Sequence, residues 1–220
     1  MKFTKKKAIV LFSGGLDSTT TLYWALDKGY DCTALIFNYK QRHKKEISCA
    51  KKIAVKCKVP YIVINVLLPE KGSSLIDKSQ KIPVHKKIGR NIPATYVPSR
   101  NIIFLSIAGS YAEVYKADTI FIGANSIDYS GYPDCRPVFL KSMEKTLNQG
   151  TRQGVSASPF KIAAPLLKLS KKQIVLLGRK LKVPFNLTWS CYKGMSKPCN
   201  VCDSCRLRAQ GFKQAKVQDK

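Results

Sequence analysis

A parallel, doubly wound α/β sheet is the fold this sequence predicts, and three observations carry it. Short apolar runs alternate with segments of helical periodicity. The runs are bounded by glycines and other turn residues. The alternation is βαβα throughout, the pattern that places helices on both faces of a parallel sheet. With 220 residues, 45% of them hydrophobic, the chain is long enough for one packed domain and a small appendage. A disordered chain and a disulfide-stapled miniprotein are both excluded.

Each element follows in order. Residues 7–12 form an apolar run that stops at Gly14 and Gly15, as a buried strand does. Residues 18–28 carry Leu22, Ala25 and Leu26 on one helical face, and Gly29 supplies the stop. Residues 32–37 read as a second strand. Residues 44–56 form a helix with Ile47, Ala50, Ile53, Ala54 and Cys57 at helical spacing. The β-branched run 61–66 is a third strand. Residues 67–99 break the rhythm with Pro69, Gly72, Pro83, Gly89, Pro93 and Pro98. So long a connection reads as a lid or a partner-contacting insertion, with some helix near Ser74. Residues 101–115 are apolar almost all round and predict a central helix packed on both sides. Residues 119–123 are a fourth strand. Pro137 opens a helix that turns Phe139, Met143 and Leu147 inward. Residues 160–164 give a short fifth strand. Ser170 and Gln173 have capping-box spacing and start a helix carrying Ile174, Leu177 and Leu181. In such folds ligands bind beyond the carboxyl ends of the strands, so the loops after Phe12, Phe37 and Gly123 are where chemistry is expected.

The charge is unusual. Formal net charge is +26, from 31 lysines and 8 arginines against 13 acidic residues. Such an excess suits RNA or an anionic partner. Its dispersed, lysine-rich texture equally fits compositional drift, so RNA binding is possible but not required. No uncharged apolar run approaches the roughly 18–20 residues of a membrane span. After the N-terminal lysines only residues 8–12 are apolar, short of the roughly 7–15 of a secretory core. A cytoplasmic protein with no membrane partner is expected.

The loop after the first strand is Ser13-Gly14-Gly15-Leu16-Asp17-Ser18. Its glycines let backbone N–H groups approach an anion, and the following helix start adds unsatisfied donors. Hydroxyls at Ser13, Ser18, Thr19 and Thr20 supply more. The string is neither a Walker A loop nor G-x-G-x-x-G. A carboxylate at Asp17 beside polyphosphate requires a bridging cation, hence Mg²⁺. This loop resembles the PP-loop of the N-type ATP pyrophosphatases. The resemblance implies an adenine nucleotide alpha hydrolase-like fold. It also implies ATP held by Phe12, Ser13, Gly14, Gly15, Leu16, Asp17, Ser18, Thr19, Thr20, Thr21 and Leu22, with activation of a substrate oxygen by adenylation.

Four further strings narrow the family. They are Asn38-Tyr39-Lys40-Gln41-Arg42-His43, Thr95-Tyr96-Val97-Pro98-Ser99-Arg100-Asn101, residues 123–137 and the cysteine-rich end. Arg42 and His43 follow a strand end, where they meet a carboxylate or form a solvated basic turn. Arg100 and Asn101 begin the central helix, facing the cleft or simply capping it. Residues 129–137 stiffen two aromatics, Asp134 and Arg136 into a loop, with Asp128 just before it. Such a loop suits a flat base, whose N–H edge a carboxylate accepts, or is a structural Ω-loop. Cys191, Cys199, Cys202 and Cys205 have C-x7-C-x2-C-x2-C spacing. Four thiolates enclose a tetrahedral Zn²⁺. An iron–sulfur cluster is the rival, disfavoured because Arg206 follows where a ferredoxin run continues.

Together the strings resemble the 7-cyano-7-deazaguanine synthase family over nearly the whole chain. The resemblance implies ATP-dependent conversion of 7-carboxy-7-deazaguanine and ammonia to a nitrile through an adenylated carboxylate and an amide. It implies catalytic roles for Asp17, Arg42, His43 and Arg100. It implies substrate contacts at Arg100, Asn101, Asp128, Tyr132, Asp134 and Arg136, structural zinc on the four cysteines, and a homodimer. Domain bounds follow at 1–188 for the ATP-binding unit and 189–220 for the metal-binding tail packed on it. Lys40, Ser99 and Asn200 stand where the family usually has glycine; those loops persist if φ stays negative, or if Asn200 turns left-handed. A tRNA-modifying PP-loop enzyme of the thiolase or lysidine synthetase type is the alternative.

Overall fold

The structure is a computed structural model, which describes residues 5–84, 91–125, 131–156 and 158–219. Five strands form one sheet: β1 (Lys7–Leu11), β2 (Asp31–Asn38), β3 (Tyr61–Asn65), β4 (Thr119–Phe121) and β5 (Lys161–Ala163). Their order is β3-β2-β1-β4-β5 and every pair is parallel. Ile9 of β1 lies opposite Thr33 of β2 on one side and Ile120 of β4 on the other. The order reverses at β1, so a switch-point crevice opens beside its carboxyl end.

Both faces of the sheet are covered, which is why the strands are apolar without alternation. Ile9, Leu11, Leu35 and Phe37 pack under α3 (Arg100–Tyr115) and α4 (Pro137–Gly150), against Phe104, Leu105, Met143 and Leu147. Ala8, Val10, Ala34 and Ile36 point the other way, into Leu22 of α1 (Leu16–Asp27) and Ile53 of α2 (Lys45–Lys56). A third cluster joins Leu16 to Ile174 and Val175 of α5 (Lys171–Lys180) and to Phe212 of α6 (Asp203–Ala215).

The expected elements are present, with two differences of substance. Helix α1 starts at Leu16 rather than residue 18, because Gly15 is already extended and Asp17 sits well in a first turn. Helix α6 follows the cysteine cluster, where only a metal-bound tail was foreseen; Cys202 is its N-cap. The Ser170 capping box is complete, with Ser170 Oγ accepting from Gln173 N.

The described part of 67–99 is not a free lid. Leu68, Leu75, Ile76, Ile82 and Val97 are buried in the main core. The helix expected near Ser74 is a single turn, in which Asp77 N donates to Ser73 O at 2.8 Å. Lys40 and Ser99 do not keep negative φ: they stand at +59° and +55°, and Asn200 at +58°. Each occupies the left-handed region that favours glycine, where a Cβ crowds the following carbonyl. No helix among the described residues is long and apolar enough to cross a membrane.

Candidate active site

A cavity of about 310 Å³ opens at the carboxyl ends of β1, β2 and β4, within the usual size of a small-ligand site. Its floor is the loop from β1 into α1. Gly14 has φ +77°, and a Cβ there would lie 2.5 Å from Ala50 N and 2.7 Å from Glu46 O. Only glycine lets this turn press onto α2. Gly123, after β4, also sits tightly against the start of α1, though less so: its Cβ would lie 3.0 Å from Ser18 N. Gly15 caps α1 with no side-chain hydrogen bond, leaving first-turn N–H groups for a ligand. Ser13 Oγ and Ser18 Oγ lie 3.0 Å apart across the turn. This is an anion cradle made chiefly of backbone.

Six of the eleven residues expected at the nucleotide line the cavity: Phe12, Ser13, Gly15, Leu16, Asp17 and Ser18. Gly14 lies behind the turn. Thr19, Thr20, Thr21 and Leu22 are buried along α1. Thr20 Oγ1 donates to Leu16 O at 2.8 Å, and the Thr19 and Thr21 hydroxyls have no hydrogen-bond partner among the described residues. Both oxygens of Asp17 accept from Lys171 Nζ, at 3.0 and 2.8 Å. Lys171 opens α5, so a cation stands at the positive end of a helix dipole. That placement is locally unfavourable and was the sequence signal that it faces an anion.

The substrate-side residues divide. His43, Arg100, Asn101 and Tyr132 line the cavity. Arg42 does not: its Nη2 donates to the carbonyls of Asp77 at 2.6 Å and Gln80 at 2.8 Å, pinning the 67–99 segment. Asp134 lies behind the wall, where Asn101 N donates to its Oδ2 at 3.3 Å. Burial pushes its carboxyl pKa up, partly offset by Arg100. Arg136 is exposed at the N-cap of α4. Asp128 lies outside the described residues. Arg100 Nη1 donates to Tyr39 Oη at 3.5 Å. Burial opposes the Arg100 charge, but Tyr39, Tyr132 and Asp134 around it hold its pKa above the ordinary value. Burial also drives Tyr39 up to about 12, against the pull of Arg100.

Sequence reasoning missed several wall residues. Glu46 stands three residues after His43, with Oε2 3.3 Å from His43 Nε2, and its Oε1 accepts from Gln41 Nε2 at 3.0 Å. Trp189, Ser190 and Tyr192 flank Cys191, and Arg208 comes from α6. Arg208 donates to Thr188 Oγ1 at 2.7 Å and Ser190 Oγ at 3.2 Å, and pairs with Asp219. The His43-x-x-Glu46 spacing at a helix start was readable; nothing in the sequence pointed to Arg208.

The ligand atoms of Cys191, Cys199, Cys202 and Cys205 all lie within 4.8 Å of one another, and Cys199 Sγ is 4.0 Å from Cys205 Sγ. A tetrahedral ion with bonds of about 2.3 Å separates its sulfurs by roughly 3.8 Å, so the four fit one zinc. An iron–sulfur cube holds its cysteine sulfurs further apart. The hydrogen bond with Cys205 draws the Cys202 thiol down while Cys205 and Cys191 are pushed up, so one of the four is poised as a thiolate, the ligating form.

Comparison with known proteins shows the family. Residues 7–216 match the family model described as queuosine biosynthesis protein QueC. The chain is 52% identical over 220 residues to a 7-cyano-7-deazaguanine synthase from Leptospira interrogans serogroup Icterohaemorrhagiae, covering 99% of this chain and 90% of that one. It is 52% identical over 211 residues to the 7-cyano-7-deazaguanine synthase of Picrophilus torridus, covering 95% and 88%. The NMN synthetase of Francisella tularensis shares the fold at a TM-score of 0.52 and 17% identity, covering 97% of this chain and 78% of that one. A phosphate-type cradle, a cation-bearing wall and a four-cysteine centre in one α/β sheet thus occur within a sequence match across the whole fold, and the chain belongs to the QueC family of queuosine biosynthesis proteins.

Proposed function

We propose that the chain makes the nitrile 7-cyano-7-deazaguanine from 7-carboxy-7-deazaguanine, ammonia and ATP. The observation that carries this reading is one cavity joining a backbone anion cradle to a wall bearing a half-buried arginine, Arg100. A carboxylate is a poor electrophile. Adenylation of its oxygen, with loss of pyrophosphate, turns that oxygen into a leaving group; ammonia displaces AMP to give the amide. A second adenylation, now of the amide oxygen, lets the amide shed that oxygen with AMP and two protons, leaving C≡N. No protein nucleophile is required, so positioning and charge neutralisation carry the rate.

The chain's own residues divide that work. The N–H groups of Gly15 to Ser18 and the hydroxyls of Ser13 and Ser18 hold the phosphates. Asp17 is the side chain that would hold Mg²⁺, which would screen polyphosphate charge, and Lys171 beside it places an ammonium at the edge of the cradle. Arg100 steadies the substrate carboxylate, Tyr132 and Asn101 shape the wall beside it, and His43 sits where it can relay a proton. Arg42 acts at a distance, by fixing the segment that carries Leu75 to the cavity edge. Zinc on the four cysteines holds the tail, residues 189–220, against the ATP-binding unit of residues 1–188.

The protein works in the cytoplasm as a homodimer. Helix α3 supports a self-contact: Ile102, Val114 and Tyr115 are exposed on it, and in a chain of +26 charge it carries no lysine. Like-charged copies repel least there. The direct test is mass spectrometry of products from the free base, ATP, Mg²⁺ and ammonium without RNA. The nitrile is expected; turnover only when tRNA is supplied would favour a tRNA-modifying enzyme instead.

A further inference from the structure

Two side chains with carboxylates line the described cavity, Asp17 and Glu46. Asp17 is engaged by Lys171 beside the phosphate cradle. Glu46 lies on the β2 side, in the first turn of α2, and its side chain is only 13% exposed. Burying a carboxylate needs compensation, and here it is specific. Gln41 Nε2 supports one oxygen at 3.0 Å and His43 Nε2 the other at 3.3 Å. Gln41 is itself fixed: it donates to Phe37 O at 3.1 Å and accepts from Tyr39 N at 2.9 Å. The carboxylate is therefore oriented, while each oxygen keeps a further lone pair. Aromatic side chains, Tyr39, Trp189 and Tyr192, line the same cavity.

We infer that Glu46 is the residue that reads the base: its carboxylate accepts two adjacent N–H donors from a 2-amino-pyrimidinone edge. This rests on the substrate class proposed above and deepens it. Two parallel N–H···O bonds match a carboxylate as a guanidinium does. An adenine ring offers no such adjacent pair, so the same group separates the base from the nucleotide. The role that sequence reasoning gave to Asp134 passes to Glu46, because Asp134 spends an oxygen on Asn101 behind the wall.

The test compares 7-carboxy-7-deazaguanine with its analogue lacking the 2-amino group, in the wild-type holoenzyme and in Glu46→Gln. A site built around a donor rejects the analogue lacking it strongly. The wild type is expected to favour the amino base in kcat/KM by about 100-fold or more. In Glu46→Gln, KM for that base rises by about 30-fold or more, the preference falls to within about 3-fold, and KM for ATP stays within about 2-fold. Equal use of both bases by the wild type overturns the inference without needing the variant. So does a folded Glu46→Gln protein that keeps its discrimination, or one in which ATP affinity is what falls. A wild type that makes no nitrile from either base instead contradicts the proposed function.

Discussion

Lys40 and Ser99 show how single residues carry strain in this fold. Both occupy left-handed backbone that costs a side chain roughly 1–2 kcal/mol. The Lys40–Glu70 pair at 3.2 Å is largely exposed and gives little in return. Ser99→Gly and Lys40→Gly are each expected to stabilise the protein by about 1 kcal/mol, net of the entropy glycine adds to the unfolded chain. Thermal unfolding checks this: a rise of roughly 2–4 °C per substitution is expected, and a fall would show that the loops need those side chains. Asp17 is the opposite case, a partly exposed carboxylate in the cradle. Asp17→Ala should cut nitrile formation by about 1000-fold or more while circular dichroism and Tm stay near wild type; near-normal turnover would remove it from the site. The cradle residues Ser13 to Ser18 were legible because glycine and hydroxyl spacing is a local signal. Glu46 and Lys171 left only local hints, a His43-x-x-Glu46 spacing and a cation at a helix start, and the cavity each faces is set by packing across the fold, as where Lys171 reaches Asp17.

At the scale of elements, periodicity was sufficient where a helix has one apolar face, as in α2 and α5. Ser170→Ala removes one half of the observed capping box on α5 and is expected to cost about 1 kcal/mol, read by chemical denaturation. Helix α6 escaped notice because Arg206, Arg208, Lys213 and a cysteine ligand interrupt its apolar positions, yet Phe212 and Ala215 are buried against α5. The 67–99 segment misled for the opposite reason. Its prolines forbid regular structure, but its scattered apolar residues still reach the core, and packing rather than periodicity holds it. Helix α3 reads as buried on both sides from sequence, whereas Val114 is 77% exposed. Val114→Lys should lower the dimer fraction in sedimentation if this face joins two copies; an unchanged dimer would place the contact elsewhere.

Over the whole molecule, the four-cysteine centre and the nucleotide cradle are mechanically one unit. Trp189 N donates to Gly14 O at 3.0 Å, and Trp189 Nε1 donates to Cys191 O at 2.9 Å. Chelation of the metal is therefore expected to change Trp189 emission, lower Tm and weaken ATP binding together. Metal analysis should give one zinc per chain with no visible absorbance. A brown, iron-containing protein would contradict that assignment. The most direct test of the account follows the carboxylate oxygen. With ¹⁸O in the 7-carboxy group, AMP released in the reaction is expected to carry the label, because the cradle holds ATP while that oxygen attacks the α-phosphorus. Label found in inorganic phosphate, or in water with none in nucleotide, would contradict activation by adenylation.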